Sequence, residues 1–214
     1  PWFGKPEGQT SQHGFARVRS WELVDTRKQP DGSVIVHFRL PASAELHSIL
    51  LEYIVTVGKS LTAELVVTNH SEHAFRFENC LHTYFTVGDI NQVRVTGLRG
   101  VDYLDALANR AQTPERDDAI RFTGEVDRIY INSPHPVEIH DAHLKRVIHV
   151  TKEGANATVV WNPWIAKAMA MADFGDAEYQ RMVCVESGNV ANNALSLPPG
   201  QEARLKINLS STPA

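Results

Sequence analysis

The stretch Leu61-Thr62-Ala63-Glu64-Leu65-Val66-Val67-Thr68 places an apolar residue at every second position. This alternation has the two-residue period of an antiparallel strand with one buried face. Comparable apolar runs recur along the chain, several of them bounded by turn residues, at Gly32–Leu40, Leu46–Val57, Phe75–Phe85, Ala157–Trp161, Arg181–Glu186 and Ala203–Leu209. Strands of this length with turns between them predict an all-β fold of the sandwich or barrel type.

One short helix interrupts this pattern. Pro163–Ala172 is rich in Ala and Met, and Asn162 and Pro163 suit its N-cap and first position. The segment Asp105–Asp118 is charged and poor in large apolar residues, which predicts a surface loop. With no repeat or linker, residues 1–214 are expected to form a single domain of a dozen or so strands.

Composition excludes several classes of protein. The chain has 214 residues, 43% hydrophobic, and a net charge of −4 without a long run of one sign. A mildly acidic chain lacks the basic surface typical of nucleic-acid binding, and no apolar segment approaches the ~20 residues that span a bilayer. Cys80 and Cys184 are interpreted as buried free thiols in a reducing compartment, although a disulfide between neighbouring strands stays open. A cytoplasmic protein without nucleic-acid or membrane partners is expected.

Two residues stand out as a candidate acid/base pair. His82 lies in the apolar, aromatic run Asn79-Cys80-Leu81-His82-Thr83-Tyr84-Phe85, and Glu186 ends an apolar, β-branched run. A histidine and a glutamate on strands with apolar neighbours are typical of general acid/base catalysis. Alone, each is more often structural: a hydrogen-bonded core histidine, or a glutamate that points into water. We expect the two to face each other across a sugar pocket.

Other polar residues admit both a functional and a structural explanation. His13 and Arg17 lie four residues apart in Gln12-His13-Gly14-Phe15-Ala16-Arg17 and could converge on one ligand, or could belong to a solvated loop. His140 and His143 have no third or fourth ligand at metal-site spacing, so both are predicted to be exposed. No metal site is expected.

Five motifs together make a specific resemblance. They are Gln12-His13-Gly14-Phe15-Ala16-Arg17, Leu81-His82-Thr83-Tyr84-Phe85, Glu125-Val126-Asp127-Arg128, Val160-Trp161-Asn162-Pro163-Trp164 and Val185-Glu186-Ser187-Gly188. In this order they resemble the D-hexose-6-phosphate mutarotases, or glucose-6-phosphate 1-epimerases, a branch of the aldose 1-epimerase family. The resemblance implies the galactose-mutarotase-like β-supersandwich, in agreement with the strands expected above.

The resemblance also implies a reaction, in which the α and β anomers of a hexose 6-phosphate interconvert. Glu186 matches the family's catalytic glutamate and would take the proton of the anomeric hydroxyl. His82 matches the catalytic histidine and would protonate the ring oxygen. An imidazole titrates near ~6.5 when unperturbed, so little tuning of its pKa is expected. No metal or organic cofactor is needed.

Substrate binding is implied for a further set of positions. These are Gln12, His13, Arg17 and Asp127. Arg17 would bind the phosphate because a guanidinium matches phosphate oxygens with two parallel hydrogen bonds. Asp127 would accept hydrogen bonds from sugar hydroxyls, and His13 would contact the sugar or orient His82. Trp161 and Trp164 would form an apolar wall, or pack in the core.

The start of the chain departs from the family. Members carry strands and a phosphate-binding arginine upstream of Pro1-Trp2-Phe3-Gly4, and this sequence lacks them. The domain is therefore expected to be N-terminally incomplete, which makes phosphate specificity less secure than the epimerase chemistry.

The sequence leaves three alternative functions open. They are a mutarotase of unphosphorylated aldoses, a non-catalytic sugar-binding module, and a cupin-like metalloenzyme with His13, His82 and Glu186 as ligands. A monomer or weak homodimer is expected.

Overall fold

The computed structural model describes residues 1–9, 11–43, 46 and 48–214. Within them it contains eighteen strands and one α-helix. The strands are β1 Glu22–Lys28, β2 Val34–Arg39, β3 Ile49–Val57, β4 Leu61–Asn69, β5 Phe75–Phe77, β6 Asn79–Leu81, β7 Tyr84–Thr86, β8 Val93–Thr96, β9 Asp102–Asp105, β10 Ala111–Pro114, β11 Ala119–Arg121, β12 Val126–Ile131, β13 Val137–Asp141, β14 Arg146–Glu153, β15 Ala157–Asn162, β16 Met182–Asn189, β17 Leu195–Leu197 and β18 Glu202–Pro213. The helix α1 is Trp164–Ala170, and 3₁₀ turns occur at Ala16–Val18, Ile90–Gln92, Ala106–Ala108, Glu178–Arg181 and Ala191–Asn193.

The strands form three antiparallel sheets. A nine-stranded sheet has the order β1-β2-β3-β4-β18-β14-β13-β8-β11, and a small sheet pairs β17 with β5. A seven-stranded sheet has the order β10-β9-β12-β15-β16-β6, with β7 also paired to β16. The all-β class predicted from the two-residue periodicity is confirmed.

Several predicted elements differ from those observed. The run Leu46–Val57 becomes β3, which begins at Ile49, while His47 lies outside the described residues. The helix is shorter than predicted, and its N-cap is Pro163, which was expected to be its first residue, instead of Asn162. The Asn162 side-chain oxygen still accepts a hydrogen bond from the Trp164 amide (2.9 Å). The loop predicted for Asp105–Asp118 is wrong, because this segment contains a 3₁₀ turn and β10.

The main core lies between the two large sheets. Apolar side chains of β8, β11, β13 and β14 from the nine-stranded sheet pack against those of β9, β12, β15 and β16 from the seven-stranded sheet. Alternate residues of the seven-stranded sheet therefore point inward, as Val183 and Val185 do, or outward to its opposite face. This outer face carries the candidate site. In the described part of the chain, no helix combines the length and apolar character needed to cross a membrane.

Candidate active site

Strand register brings His82 directly opposite Glu186. Leu81 of β6 pairs with Ser187 of β16, and Tyr84 of β7 pairs with Cys184 in the same continuous register. His82 lies between these two short strands, at the position that corresponds to Glu186. The prediction of one strand over Phe75–Phe85 is therefore wrong: the run divides into β5, β6 and β7, and the histidine occupies the gap between the last two.

The two side chains are in direct contact. His82 Nε2 lies 3.2 Å from Glu186 Oε1, so the expectation that they face each other across a pocket is replaced by a touching pair. The Cys80 thiol donates a hydrogen bond to the other carboxyl oxygen, with 3.4 Å between Sγ and Oε2. On the far side of the imidazole, Cys184 Sγ lies 3.8 Å from Nδ1. Each polar atom of the pair thus has a partner in the fold.

Burial sets the protonation of this pair. The Glu186 side chain is 1% exposed, and burial, with the nearby Asp127 charge, raises the pKa of its carboxyl well above its ordinary value. Burial, with the neighbouring His13, lowers the pKa of His82 to about 4. The expectation of a little-tuned imidazole is therefore wrong. Both shifts oppose charge, so this buried contact favours a neutral hydrogen bond, with one proton between the two groups, over an ion pair.

The two cysteines are free, as the sequence interpretation proposed. Burial raises the pKa of both thiols, and the nearby Glu186 charge adds to this effect. Both therefore remain protonated at neutral pH, and the Cys80 thiol can serve as a hydrogen-bond donor. Cys184 is fully buried, whereas Cys80 is only half-buried.

The pair forms part of the wall of a cavity of about 410 Å³ on the outer face of the seven-stranded sheet. All six site residues expected from the sequence line it, namely Gln12, His13, Arg17, His82, Asp127 and Glu186. A cavity of this size fits a single phosphorylated monosaccharide. The structure thus brings together residues that are as much as 174 positions apart in the sequence (186 − 12).

An N-terminal loop supplies the wall opposite the sheet. His13 and Gly4 are joined by two hydrogen bonds: Gly4 N donates to His13 Nδ1 (3.2 Å), and His13 N donates to Gly4 O (2.7 Å). Because Nδ1 accepts, the proton of the neutral imidazole is assigned to Nε2, which can donate to a ligand. The ring of His13 packs edge-on against that of His82, with centroids 5.4 Å apart.

Asp127 is held by a cation that sequence reasoning missed. Lys167 of α1 places Nζ 3.3 Å from Asp127 Oδ2 and 2.9 Å from Glu125 Oε1. The ammonium also lies 5.9 Å from the centre of the Trp161 ring. No motif could have identified Lys167, because its role depends on α1 packing beside the start of β12.

Aromatic side chains form one side of the cavity. Tyr84, which sequence reasoning did not select, stacks on His82 with 5.0 Å between centroids and 17° between planes. Trp161 packs edge-on against both rings and lines the cavity, as one of the two alternatives predicted. Trp164 instead packs against the main core and Tyr179.

Three donor atoms of the site could approach one metal ion. In the described residues, one ligand atom each from His82, Cys184 and Glu186 lies within 4.8 Å of the others. This set differs from the three ligands of the cupin-like alternative, because Cys184 takes the place of His13. Cys184 is closest to Nδ1 of the His82 imidazole, whereas Glu186 is closest to Nε2. An imidazole binds a given ion through only one nitrogen, so these two contacts do not surround one metal position.

Elsewhere, His143 is exposed as predicted, but His140 is half-buried against Thr96.

A model of the aldose 1-epimerase family matches residues 1–210. A protein of Cenchrus ciliaris, provisionally named a glucose-6-phosphate 1-epimerase, is 42% identical over 227 residues, which cover all of this chain and 68% of that protein. The chain belongs to the aldose 1-epimerase family.

Further relatives agree with this assignment. A provisionally named glucose-6-phosphate 1-epimerase of Escherichia coli K12 is 36% identical, over 87% of this chain and 64% of that protein. The crystal structure of a provisionally assigned mutarotase from Salmonella typhimurium superposes with a TM-score of 0.90 at 30% identity, covering all of this chain and 72% of that one. The galactose-mutarotase-like fold is confirmed. The chain spans about two thirds of the length of these curated relatives.

Proposed function

We propose that this chain interconverts the α and β anomers of a hexose 6-phosphate, with glucose 6-phosphate as the preferred substrate. The observation that carries this proposal is the His82–Glu186 contact of 3.2 Å in a sugar-sized cavity that Arg17 also lines. The names of the Cenchrus ciliaris and Escherichia coli relatives support the same substrate.

Ring opening uses the single proton of the pair. When that proton lies on His82 Nε2, Glu186 is a carboxylate and can take the proton of the O1 hydroxyl. As the C1–O5 bond breaks and the C1=O1 double bond forms, Nε2 gives its proton to O5. The step leaves Glu186 protonated and His82 neutral, which is the form that burial favours.

Ring closure reverses these transfers. Rotation about the C1–C2 bond of the open aldehyde presents the other carbonyl face to the O5 hydroxyl. As O5 attacks C1, His82 takes the O5 proton and Glu186 returns its proton to O1, which gives the other anomer. The proton count is unchanged, and each positioned transfer can contribute ~10²–10⁴-fold. These steps require the two side chains alone.

Substrate binding is divided between the two walls of the cavity. Arg17 binds the phosphate, and Asp127, held by Lys167, accepts hydrogen bonds from sugar hydroxyls. Gln12 contacts the sugar, and His13 donates from Nε2. The exposed ring of Tyr84 offers an apolar surface to the C–H face of the pyranose.

The proposal includes a cytoplasmic location, supported by the two free thiols, which persist in reducing compartments. It also includes a monomer or weak homodimer, which light scattering over a range of concentrations would test.

The test is NMR magnetisation exchange between the anomers of glucose 6-phosphate, with free glucose and galactose measured in parallel. Wild type should accelerate exchange, and His82→Asn and Glu186→Gln should each lose at least about 100-fold. A matched control is His37→Asn, since His37 Nε2 makes a similar 3.0 Å contact with Glu52 on the nine-stranded sheet. This control should keep wild-type activity.

Other outcomes would separate the alternatives. Acceleration of free sugars in preference to the phosphate ester would indicate a mutarotase of unphosphorylated aldoses. Sugar binding with no acceleration of any exchange would indicate a binding module. Activity that is lost with a chelator and restored by a divalent metal would contradict the cofactor-free mechanism.

A further inference from the structure

We propose that Arg110 is a second phosphate-binding residue of the cavity, which works with Arg17 to select phosphorylated over free hexoses. The inference rests on the proposed function and deepens it, because it concerns the substrate class of the same site. Arg110 lies in the segment that the sequence predicted to be a surface loop, and it lines the cavity with Arg17.

A defined turn between β9 and β10 holds Arg110 in place. The Asp105 carboxylate accepts a hydrogen bond from Leu107 N (2.9 Å), and Asp105 O accepts one from Arg110 N (2.7 Å). Asn109 and Arg110 both have left-handed backbone conformations, with φ of 53° and 58°. A left-handed backbone is uncommon for arginine, so neighbouring structure must hold it there.

The two arginines differ from Lys167, the third cation that lines the cavity, in their ionic contacts. Lys167 is neutralised by Glu125 and Asp127. In the part of the chain that the structure describes, neither Arg17 nor Arg110 makes an ion pair or a side-chain hydrogen bond. Their guanidinium donors are therefore free to bind an anion, and a phosphate dianion accepts from both.

Both arginines lie near the N-terminal loop that carries Gly4 and His13. An Arg110 guanidinium nitrogen, Nη2, lies 3.6 Å from the position that a Cβ on Gly4 would take, and Gly4 is bonded to His13. Arg17 lies close enough to His13 and His82 that its charge lowers the pKa of both imidazoles. Besides Glu186, which is paired with His82, the cavity is lined by the carboxyl groups of Asp127, which Lys167 holds, and Asp173, which lies toward Tyr84. Phosphate therefore binds at the N-terminal loop and the sugar ring at the sheet.

The experiment compares Arg110→Gln with wild type by NMR anomer exchange and, independently, by ³¹P NMR titration with inorganic phosphate. We expect the ratio of kcat/KM for glucose 6-phosphate to that for glucose to fall about tenfold, chiefly through KM, and the phosphate Kd to rise by a similar factor. Arg110→Lys should recover part of both losses. Arg121→Gln on β11, which removes an exposed charge from the other large sheet, is the control and should change neither.

The outcomes separate this inference from the function on which it rests. Unchanged phosphate affinity and an unchanged efficiency ratio in Arg110→Gln, with both impaired in Arg17→Gln, would overturn the role of Arg110 and leave the function intact. If wild type accelerates no exchange, the proposed function fails. The ³¹P titration then decides alone whether Arg110 binds phosphate.

Discussion

Glu186 of β16 faces His82, which lies between β6 and β7 in the same register, and 3.2 Å separates Oε1 from Nε2. Because both flanking strands pair with β16 in one continuous register, the backbone brings the two side chains to neighbouring positions. Because both groups are buried, their pKa values move in the directions that favour the neutral forms. One proton is then available for transfer without a net charge change in the site.

The first prediction concerns the titration of His82. Since burial lowers its pKa to about 4, its ring C–H resonances should titrate near that pH in the folded protein, not near ~6.5 as in unfolded chains. Above pH ~6.5 the imidazole is neutral in both states. Between about 6.5 and 4 only the unfolded state takes up the proton, so stability should fall by up to roughly 1 kcal/mol per pH unit as pH decreases through this window.

Urea titrations at several pH values measure the stability change, and the ring resonances are assigned with His82→Asn. In this variant the contribution of His82 to the pH dependence of the free energy of unfolding should disappear, while the urea m-value stays at the wild-type value. A folded-state midpoint at or above 6.5 would contradict the shared-proton description and indicate an ion pair with Glu186.

A second prediction concerns the Cys80 thiol, which donates to Glu186 Oε2 across 3.4 Å. Cys80→Ala removes this donor from a buried carboxyl, so kcat should fall about 3- to 10-fold, as expected for one modest hydrogen bond. Cys80→Ser retains a donor of similar geometry and is the matched variant, which should stay within about twofold of wild type. Polarimetry of anomer conversion gives both rates. Equal rates for the two variants would mean that the Cys80 thiol does not position Glu186.

Much of the fold can be predicted from sequence periodicity, because apolar residues lie on the buried face of a half-buried strand and polar residues on the exposed face. The alternation in Leu61–Thr68 therefore located β4 correctly. The run Phe75–Phe85 shows where this reasoning stops. Its apolar residues belong to three strands in two sheets, and the boundaries between these strands are set by their pairing with β16 and β17. Pairing partners are distant in sequence, so local pattern does not reveal them.

The site residues that belong to sequence motifs could be predicted, and the others could not. His82 and Glu186 were identified as a pair, but their direct contact depends on a register that spans more than 100 residues. Lys167 and Arg110 were missed because one lies in an ordinary helix and the other in a charged segment. Their significance comes from tertiary packing around a cavity, which no local pattern records.

The third prediction tests whether Lys167 positions Asp127. Lys167→Met removes the contacts of 3.3 Å to Asp127 and 2.9 Å to Glu125, while a methionine of similar length preserves packing against Trp161. Because a sugar hydroxyl binds Asp127 in both the ground and transition states, we expect KM to rise about tenfold with kcat within about threefold. Initial rates over a range of glucose 6-phosphate concentrations give both constants.

A double-mutant cycle makes this result specific. If Lys167 acts through Asp127, the variant that combines Lys167→Met with Asp127→Asn should lose little more than Asp127→Asn alone. Additive losses would mean that Lys167 contacts the substrate independently. Lys206→Met, which removes a lysine 3.9 Å from Glu153 on the nine-stranded sheet, controls for the lost charge.

The fourth prediction concerns Gly188, which lets β6 approach β16 closely beside the site. A Cβ there would collide with Asn79 O and would lie 2.9 Å from Cys80 Cα, both backbone atoms that cannot rotate away. Gly188→Ala should therefore destabilise the fold by about 2–4 kcal/mol in urea unfolding and displace Cys80 from Glu186. The control is Gly124→Ala, where a Cβ meets nothing within 4 Å, and its stability should change by less than about 1 kcal/mol. Equal stability of the two variants would mean that the β6–β16 spacing adjusts freely, and the fixed geometry of the His82–Glu186 pair would then have to come from the N-terminal loop.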